Sequence, residues 1–208
     1  MTPHRTPFFL PWLYPALLWR MPTQDNDVYL TFDDGPVPGP TDFALDTLRR
    51  HHAQATFFCI GDNIRKHPDL FPRIPAGGHA VGNHTFHHLN GWHTRAGNYV
   101  RDVADCDAML GLHTVQTKLF RPPYGQISRR QISQLQGRSI VMWDVLSVDY
   151  NKRLSPEACL RNTMRAVRPG SIVVFHDSYK AEKNMTYALP RLMDHLGSAG
   201  YSFKALPG

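Results

Sequence analysis

Seven short apolar runs, each closed by polar residues and separated by longer mixed segments, constrain the fold of this chain more than any other feature. They cover residues 28–32, 55–60, 79–82, 118–120, 139–143, 171–175 and 201–206. Their length and their β-branched or aromatic content predict buried strands. The spacers carry helical patterns. Phe43, Leu45 and Leu48 make an apolar set over 41–50, and Val100, Val103, Met109 and Leu110 do so over 98–112. Ser155 is suited to cap a helix with Pro156 in its first turn, and 186–196 reads as a further helix that Pro190 interrupts early. Alternating strands and helices imply parallel strands joined by crossover helices. At 208 residues the chain is one domain, and it is short for a complete eight-stranded barrel of about 250 residues. The expected architecture is α/β: a distorted, incomplete (β/α) barrel of about seven parallel strands. Residues 1–27 are expected to form an N-terminal segment that packs on the domain, which spans 28–208.

Five of these strands end in chemically capable residues: Asp33-Asp34, Asn83-His84, Arg121, Asp144 and His176-Asp177. In α/β barrels and open α/β sheets, functional groups collect at the C-terminal ends of the strands. Adjacent carboxylates point in different directions, so one can hold a metal while the other acts as a base. Alone, the Asp-Asp-Gly-Pro run suits a polar turn equally well. His84 and His88, spaced i, i+4, would converge from one helical face on a single ion, and His87 is expected to be structural. Neutral imidazole suits Zn²⁺ and other first-row metals, and two histidines with one carboxylate leave positions open for water and substrate. Pro122 and Pro123 stiffen the loop from Arg121 to Gly125 and remove two backbone donors. That stiffness fixes the Tyr124 N–H and an Arg121 fork able to orient a carboxylate. His176 has the pKa range of a general acid. Trp92, Trp143 and Tyr150 offer a flat apolar wall for a sugar, although the strand pattern around Trp143 favours core packing.

Taken in order, the segments 31–36, 84–88, 121–125, 143–150 and 172–176 resemble the five motifs of the polysaccharide deacetylases, the NodB-homology or family-4 carbohydrate esterases. The resemblance runs from about residue 28 to 206. It implies a hydrolase that removes acetyl groups from N-acetylated sugars with a divalent metal, commonly zinc. It implies Asp33 as general base and Asp34, His84 and His88 as metal ligands. Arg121 takes the place of the residue that orients the base, and the Tyr124 N–H that of the oxyanion donor. His176 stands as general acid with Asp149 as its tether. Two positions depart from the pattern. Leu146 stands where the fourth motif usually begins with Asp, which bears on the substrate subclass more than on the chemistry. Val174 replaces a Leu and stays apolar.

Charge and cysteines narrow the alternatives. The formal charge is +6, but the lysines and arginines are scattered, with no basic run interleaved with aromatics, so nucleic acid is not an expected partner. The expected partner is an N-acetylated glycan or sugar. Three widely spaced cysteines, Cys59, Cys106 and Cys159, suggest neither a disulfide framework nor a cysteine zinc site. The apolar stretch 8–19 contains Pro11 and Pro15, is too short to span a bilayer and runs into Arg20-Met21-Pro22, not a small-residue cleavage site. It is expected to pack on the domain, with peripheral membrane contact as the lesser option. A cytoplasmic or membrane-proximal location follows as an expectation. Competing functions are hydrolysis of another small amide or ureide on the same scaffold, and non-catalytic carbohydrate binding.

Overall fold

The computed structural model describes residues 3–208. Eight strands form in chain order: β1 (Asp27–Asp33), β2 (Thr56–Cys59), β3 (Ala80–Asn83), β4 (Leu119–Phe120), β5 (Ser139–Ile140), β6 (Val145–Leu146), β7 (Ile172–His176) and β8 (Ser202–Phe203). The helices are α1 (Phe9–Leu13), α2 (Pro40–Arg50), α3 (Gly61–Lys66), α4 (Arg73–Ala76), α5 (Ala96–Leu112), α6 (Arg129–Gln134), α7 (Pro156–Ala166) and α8 (Glu182–Ser198). Strand order is β5-β4-β3-β2-β1-β7-β6, with β8 on the lower half of β1, and every pairing is parallel. The result is the incomplete α/β barrel that the alternation of elements predicts.

The two faces of β1 show how the sequence builds the layers. Alternate residues of a strand face opposite sides. Val28, Leu30 and Phe32 join the core shared with the helices, which also takes in Ala44, Leu48, Met185, Leu189 and Leu192. Tyr29 joins a second cluster inside the barrel with Phe58, Leu119, Val141, Ile172 and Leu206. Thr31 and Asp33 continue upward on that inner face, so the interior passes from apolar at the base to polar at the C-terminal rim.

The helices follow their capping chemistry. The Ser155 hydroxyl accepts the Ala158 N–H at 3.2 Å at the start of α7, with Pro156 in the first turn. Ser128 and Gln131 cap α6 reciprocally. Helix α8 differs from its expected form, because it begins at Glu182 and runs through Pro190 to Ser198. Its buried face of Met185, Ala188, Leu189, Leu192, Met193 and Leu196 supplies the packing that carries the helix across the proline.

The N-terminal segment runs along the two strands that end the sheet order. The Leu18 N–H donates to the Ile140 carbonyl at 2.9 Å, and the Met142 N–H donates to Leu18 at 2.7 Å. On the other side the Leu146 N–H donates to His4 and the Thr6 N–H to Asp144, both at 2.9 Å. These bonds tie β5 and β6 together where the barrel is incomplete. Among the described residues no helix is long and apolar enough to cross a membrane. Phe8, Phe9, Trp12 and Leu13 nevertheless project into solvent around α1.

Candidate active site

Arg121 at the end of β4 lies inside the barrel and is fully buried. A guanidinium there is tolerable only with its donors engaged. One terminal nitrogen donates to Asp33 Oδ1 and to Thr31 Oγ1, each at 2.7 Å, and the other donates to the Met142 carbonyl at 2.9 Å. Nε reaches the Val141 carbonyl at 3.3 Å, and the plane stacks 4.2 Å from the centre of the Phe58 ring. Burial pulls the guanidinium pKa down and the Asp33 charge raises it. Arg121 therefore holds one oxygen of Asp33 and fixes the direction of the other.

Asp34, His84 and His88 offer ligand atoms that all lie within 4.8 Å of one another. His88 Nε2 is 3.2 Å from Asp34 Oδ1, and His84 Nε2 is 3.8 Å from the same oxygen. The other nitrogen of each ring is engaged. His84 Nδ1 lies 2.8 Å from the Arg121 carbonyl, which can only accept, so this nitrogen carries the proton and Nε2 keeps its lone pair. His88 Nδ1 lies 3.1 Å from the Tyr124 hydroxyl. Burial lowers the His84 pKa to about 4, which keeps the imidazole neutral, as a ligand must be. Burial opposes ionisation of Asp34, but the His88 hydrogen bond and the nearby His176 and His84 outweigh it and hold the carboxyl well below its usual range. Two imidazoles and one carboxylate, each ring oriented through its other nitrogen, fit a divalent first-row metal.

The two histidines do not share a helical face. His84 directly follows β3, and the segment from Thr85 to His88 turns through left-handed backbone at both Thr85 (φ 64°) and His88 (φ 57°). The turn is pinned by Asp102 of α5, which accepts the Phe86 and His87 N–H groups at 2.9 and 3.0 Å. His87 Nδ1 lies 2.5 Å from the same carboxylate, giving that residue a structural partner.

Across the cavity His176 ends β7. Asp149 grips it twice, accepting its backbone N–H at 2.8 Å and facing its Nδ1 at 2.7 Å. Burial alone would lower the imidazole pKa. The Asp149 charge and hydrogen bond, with Asp34 and Asp33 beyond, reverse this and raise it to about 9. The ring is cationic at neutral pH, with Nδ1 donating to Asp149 and Nε2 carrying the second proton. The next residue, Asp177, accepts the Gly35 N–H at 3.0 Å and the Thr41 hydroxyl at 2.6 Å, which anchors the loop after Asp34. A side chain on Gly35 would lie 2.0 Å from that carboxylate, so only glycine fits.

These groups line a cavity of about 360 Å³ together with Tyr124, Gly125, Trp143, Leu146, Tyr150 and Lys180. In the Pro-Pro loop, the Gly125 and Gln126 N–H groups close the turn onto Pro122 and Pro123, and the Tyr124 N–H takes no part in either bond. Trp143 packs against the core, as the strand pattern suggests, and also reaches the cavity. The strand stops at Ile140, and the indole stands at the cavity wall over Gly125, where an added Cβ would meet it at 2.4 Å. Asp144 departs from the strand-end pattern, because Arg168 and Ser171 bind it outside the site. Tyr150 is at the cavity, its ring edge-on to His176 at 5.1 Å. Sequence reasoning gave no role to Asp102, Asp177 or Lys180. Asp177 had one signal, its place beside His176 at a strand end.

Among the described residues, five of the seven non-glycine residues with positive φ cluster here: Asp34, Thr85, His88, Tyr124 and Val148. Such conformations cost on the order of 1–3 kcal/mol each and persist where surrounding structure imposes them, often at functional sites.

Comparison with known proteins agrees with this constellation. A family model described as polysaccharide deacetylase matches residues 20–138. A peptidoglycan-N-acetylglucosamine deacetylase of Bacillus cereus is 34% identical over 196 residues, covering 92% of this chain and 71% of the relative. A chitooligosaccharide deacetylase of Rhizobium leguminosarum bv. trifolii is 30% identical, covering 89% of this chain and 92% of the relative. The crystal structure of a peptidoglycan N-acetylglucosamine deacetylase, in complex with a naphthyl-substituted N-hydroxybenzamide, superposes with a TM-score of 0.89. It is 32% identical and covers 97% of this chain and 95% of its own. With more than half its length matched by the family model and ordered motifs converging on one cavity, this chain belongs to the polysaccharide deacetylase family.

Proposed function

We propose that this carbohydrate N-deacetylase hydrolyses the acetamide of N-acetylglucosamine units in a glycan, with Asp33 as general base, His176 as general acid and zinc as its metal. The observation that carries this reading is the placement of a carboxylate and an imidazolium beside one metal-ligating triad, on the paired ends of β1 and β7. Asp33 is held as a carboxylate acceptor by Arg121, and His176 is held as a cation by Asp149. A base and an acid held by separate partners beside one metal site are what amide hydrolysis requires.

A divalent ion on Asp34, His84 and His88 would supply Lewis acidity to the acetamide carbonyl and lower the pKa of a water toward about 7. Asp33 takes a proton from the attacking water, its oxygen aimed by Arg121. The Tyr124 N–H, rigidly placed between two prolines and Gly125, donates to the developing oxyanion. A donor of that kind is worth about 2.7–4 kcal/mol. His176 then transfers its Nε2 proton to the departing amine, and Asp149 balances its charge throughout. The products are acetate and a free amino sugar. The test is product analysis on short N-acetylglucosamine oligomers with zinc-loaded protein. Equimolar acetate and free amine are expected. Intact oligomers after complete zinc loading would overturn the reading.

A further inference from the structure

Beside the catalytic cavity lies a second cavity of about 470 Å³, and its walls have a different chemistry. Leu10, Tyr14, Leu17 and Trp19 of the N-terminal segment form one side, and Ile127 and Met142 of the barrel form another. The two cavities share Tyr124, Gly125, Trp143 and Leu146, so they are neighbours across a common wall. Among the described residues no charged or amide side chain lines the second cavity. Of its polar side chains, Thr6, Trp19 and Trp92 have their donors engaged by the carbonyls of Trp143, Tyr14 and Ile127, the Tyr124 hydroxyl faces His88 Nδ1, and the Tyr14 hydroxyl and the Trp143 indole complete the set. A sugar ring placed there would find fewer partners than its several hydroxyls have in water, and each one left unsatisfied disfavours it. An apolar group would gain from the same walls. Leu146 extends this apolar character into the catalytic cavity, where it packs with Val148, Val174 and Trp143.

Building on the deacetylase reading, we propose that the substrate sugar carries an alkyl aglycone, and that this chain lies in the cavity between the N-terminal segment and Trp143 while the acetamide occupies the metal site. Leu146 and Trp143 are then specificity residues as well as wall residues.

The test uses zinc-loaded full-length protein and two substrates, the methyl and octyl β-glycosides of N-acetylglucosamine, the octyl compound kept below its micellar concentration. The octyl glycoside is expected to have at least a tenfold higher kcat/KM, carried by KM. Leu10→Trp narrows the cavity without touching the catalytic groups, so the octyl-to-methyl ratio should fall toward one in that variant, with its melting temperature checked in parallel. Calorimetry with octyl β-glucoside, which has no acetamide, reads the cavity without turnover. Saturable binding to wild type that Leu10→Trp weakens supports the proposal. Equal kcat/KM for both glycosides together with no octyl glucoside binding would overturn it. Leu10-dependent octyl glucoside binding in a protein that deacetylates no glycan would instead overturn the deacetylase reading and leave the cavity assignment standing.

Discussion

At the scale of single residues, charge placement sets the chemistry. His176 is raised from its ordinary 6.5 to about 9 by Asp149 after burial is overcome. A group whose folded pKa is raised stabilises the fold fully below its unfolded pKa, and that contribution disappears as pH rises through the folded value. In metal-free protein the melting temperature should therefore fall between about pH 6.5 and 9, and His176→Gln should flatten that slope. An unchanged slope in the variant would show that another group is responsible. With zinc bound, the same variant should retain metal stoichiometry and lose about 10²–10⁴-fold in turnover. Arg121 offers a separate test. Replacing it with Met leaves Asp33 buried without its partner, and breaking such a pair costs about 3–5 kcal/mol. A wild-type melting temperature for Arg121→Met would contradict the buried-pair description. These residues were legible in the sequence because their types and strand-end positions carry chemistry on their face. Asp102 was not, and Asp177 showed its strand-end place but not its role, since each works by accepting backbone N–H groups from loops whose course depends on tertiary structure.

At the scale of elements, strands β1 and β7 followed their apolar runs because burial on both faces leaves no competing pattern. The segment 139–143 did not. Only Ser139–Ile140 forms β5, and the chain then turns outward so that Trp143 meets the cavity. Periodicity cannot register this change, because apolar residues lining a cavity read like those lining a core. The i, i+4 histidines illustrate the same limit. Their spacing is correct for convergence, but a turn with two left-handed residues brings it about, not a helix. The N-terminal segment yields a prediction at this scale. Leu18→Pro removes the N–H that satisfies the buried Ile140 carbonyl, at a cost of about 1–3 kcal/mol. The variant should melt several degrees lower, and the Met142 amide should exchange faster with solvent. Unchanged exchange at Met142 would mean that the segment does not brace the β5 edge.

At the scale of the whole molecule, the barrel is a frame that brings four strand ends and two rigid loops to one rim. Asp33 and Asp34 come from β1, His84 from β3, Arg121 from β4 and His176 from β7. The architecture was legible from alternation and length alone, while the incomplete edge and the contacts that tie it to the N-terminal segment were not. Binding a metal to the folded state alone adds stability of about 2.7 kcal/mol at a hundredfold excess over Kd. Chelation should accordingly lower the melting temperature by roughly 5–10 °C, and zinc should restore it. The most direct test of the central claim is the rate of acetate release from N-acetylglucosamine oligomers as zinc is titrated into chelator-stripped protein, beside Asp33→Asn. The account predicts a rate that rises to a plateau at one zinc per chain, with the variant binding the same single zinc and releasing almost no acetate. Release that needs no metal, or that Asp33→Asn sustains at the wild-type rate, would contradict it.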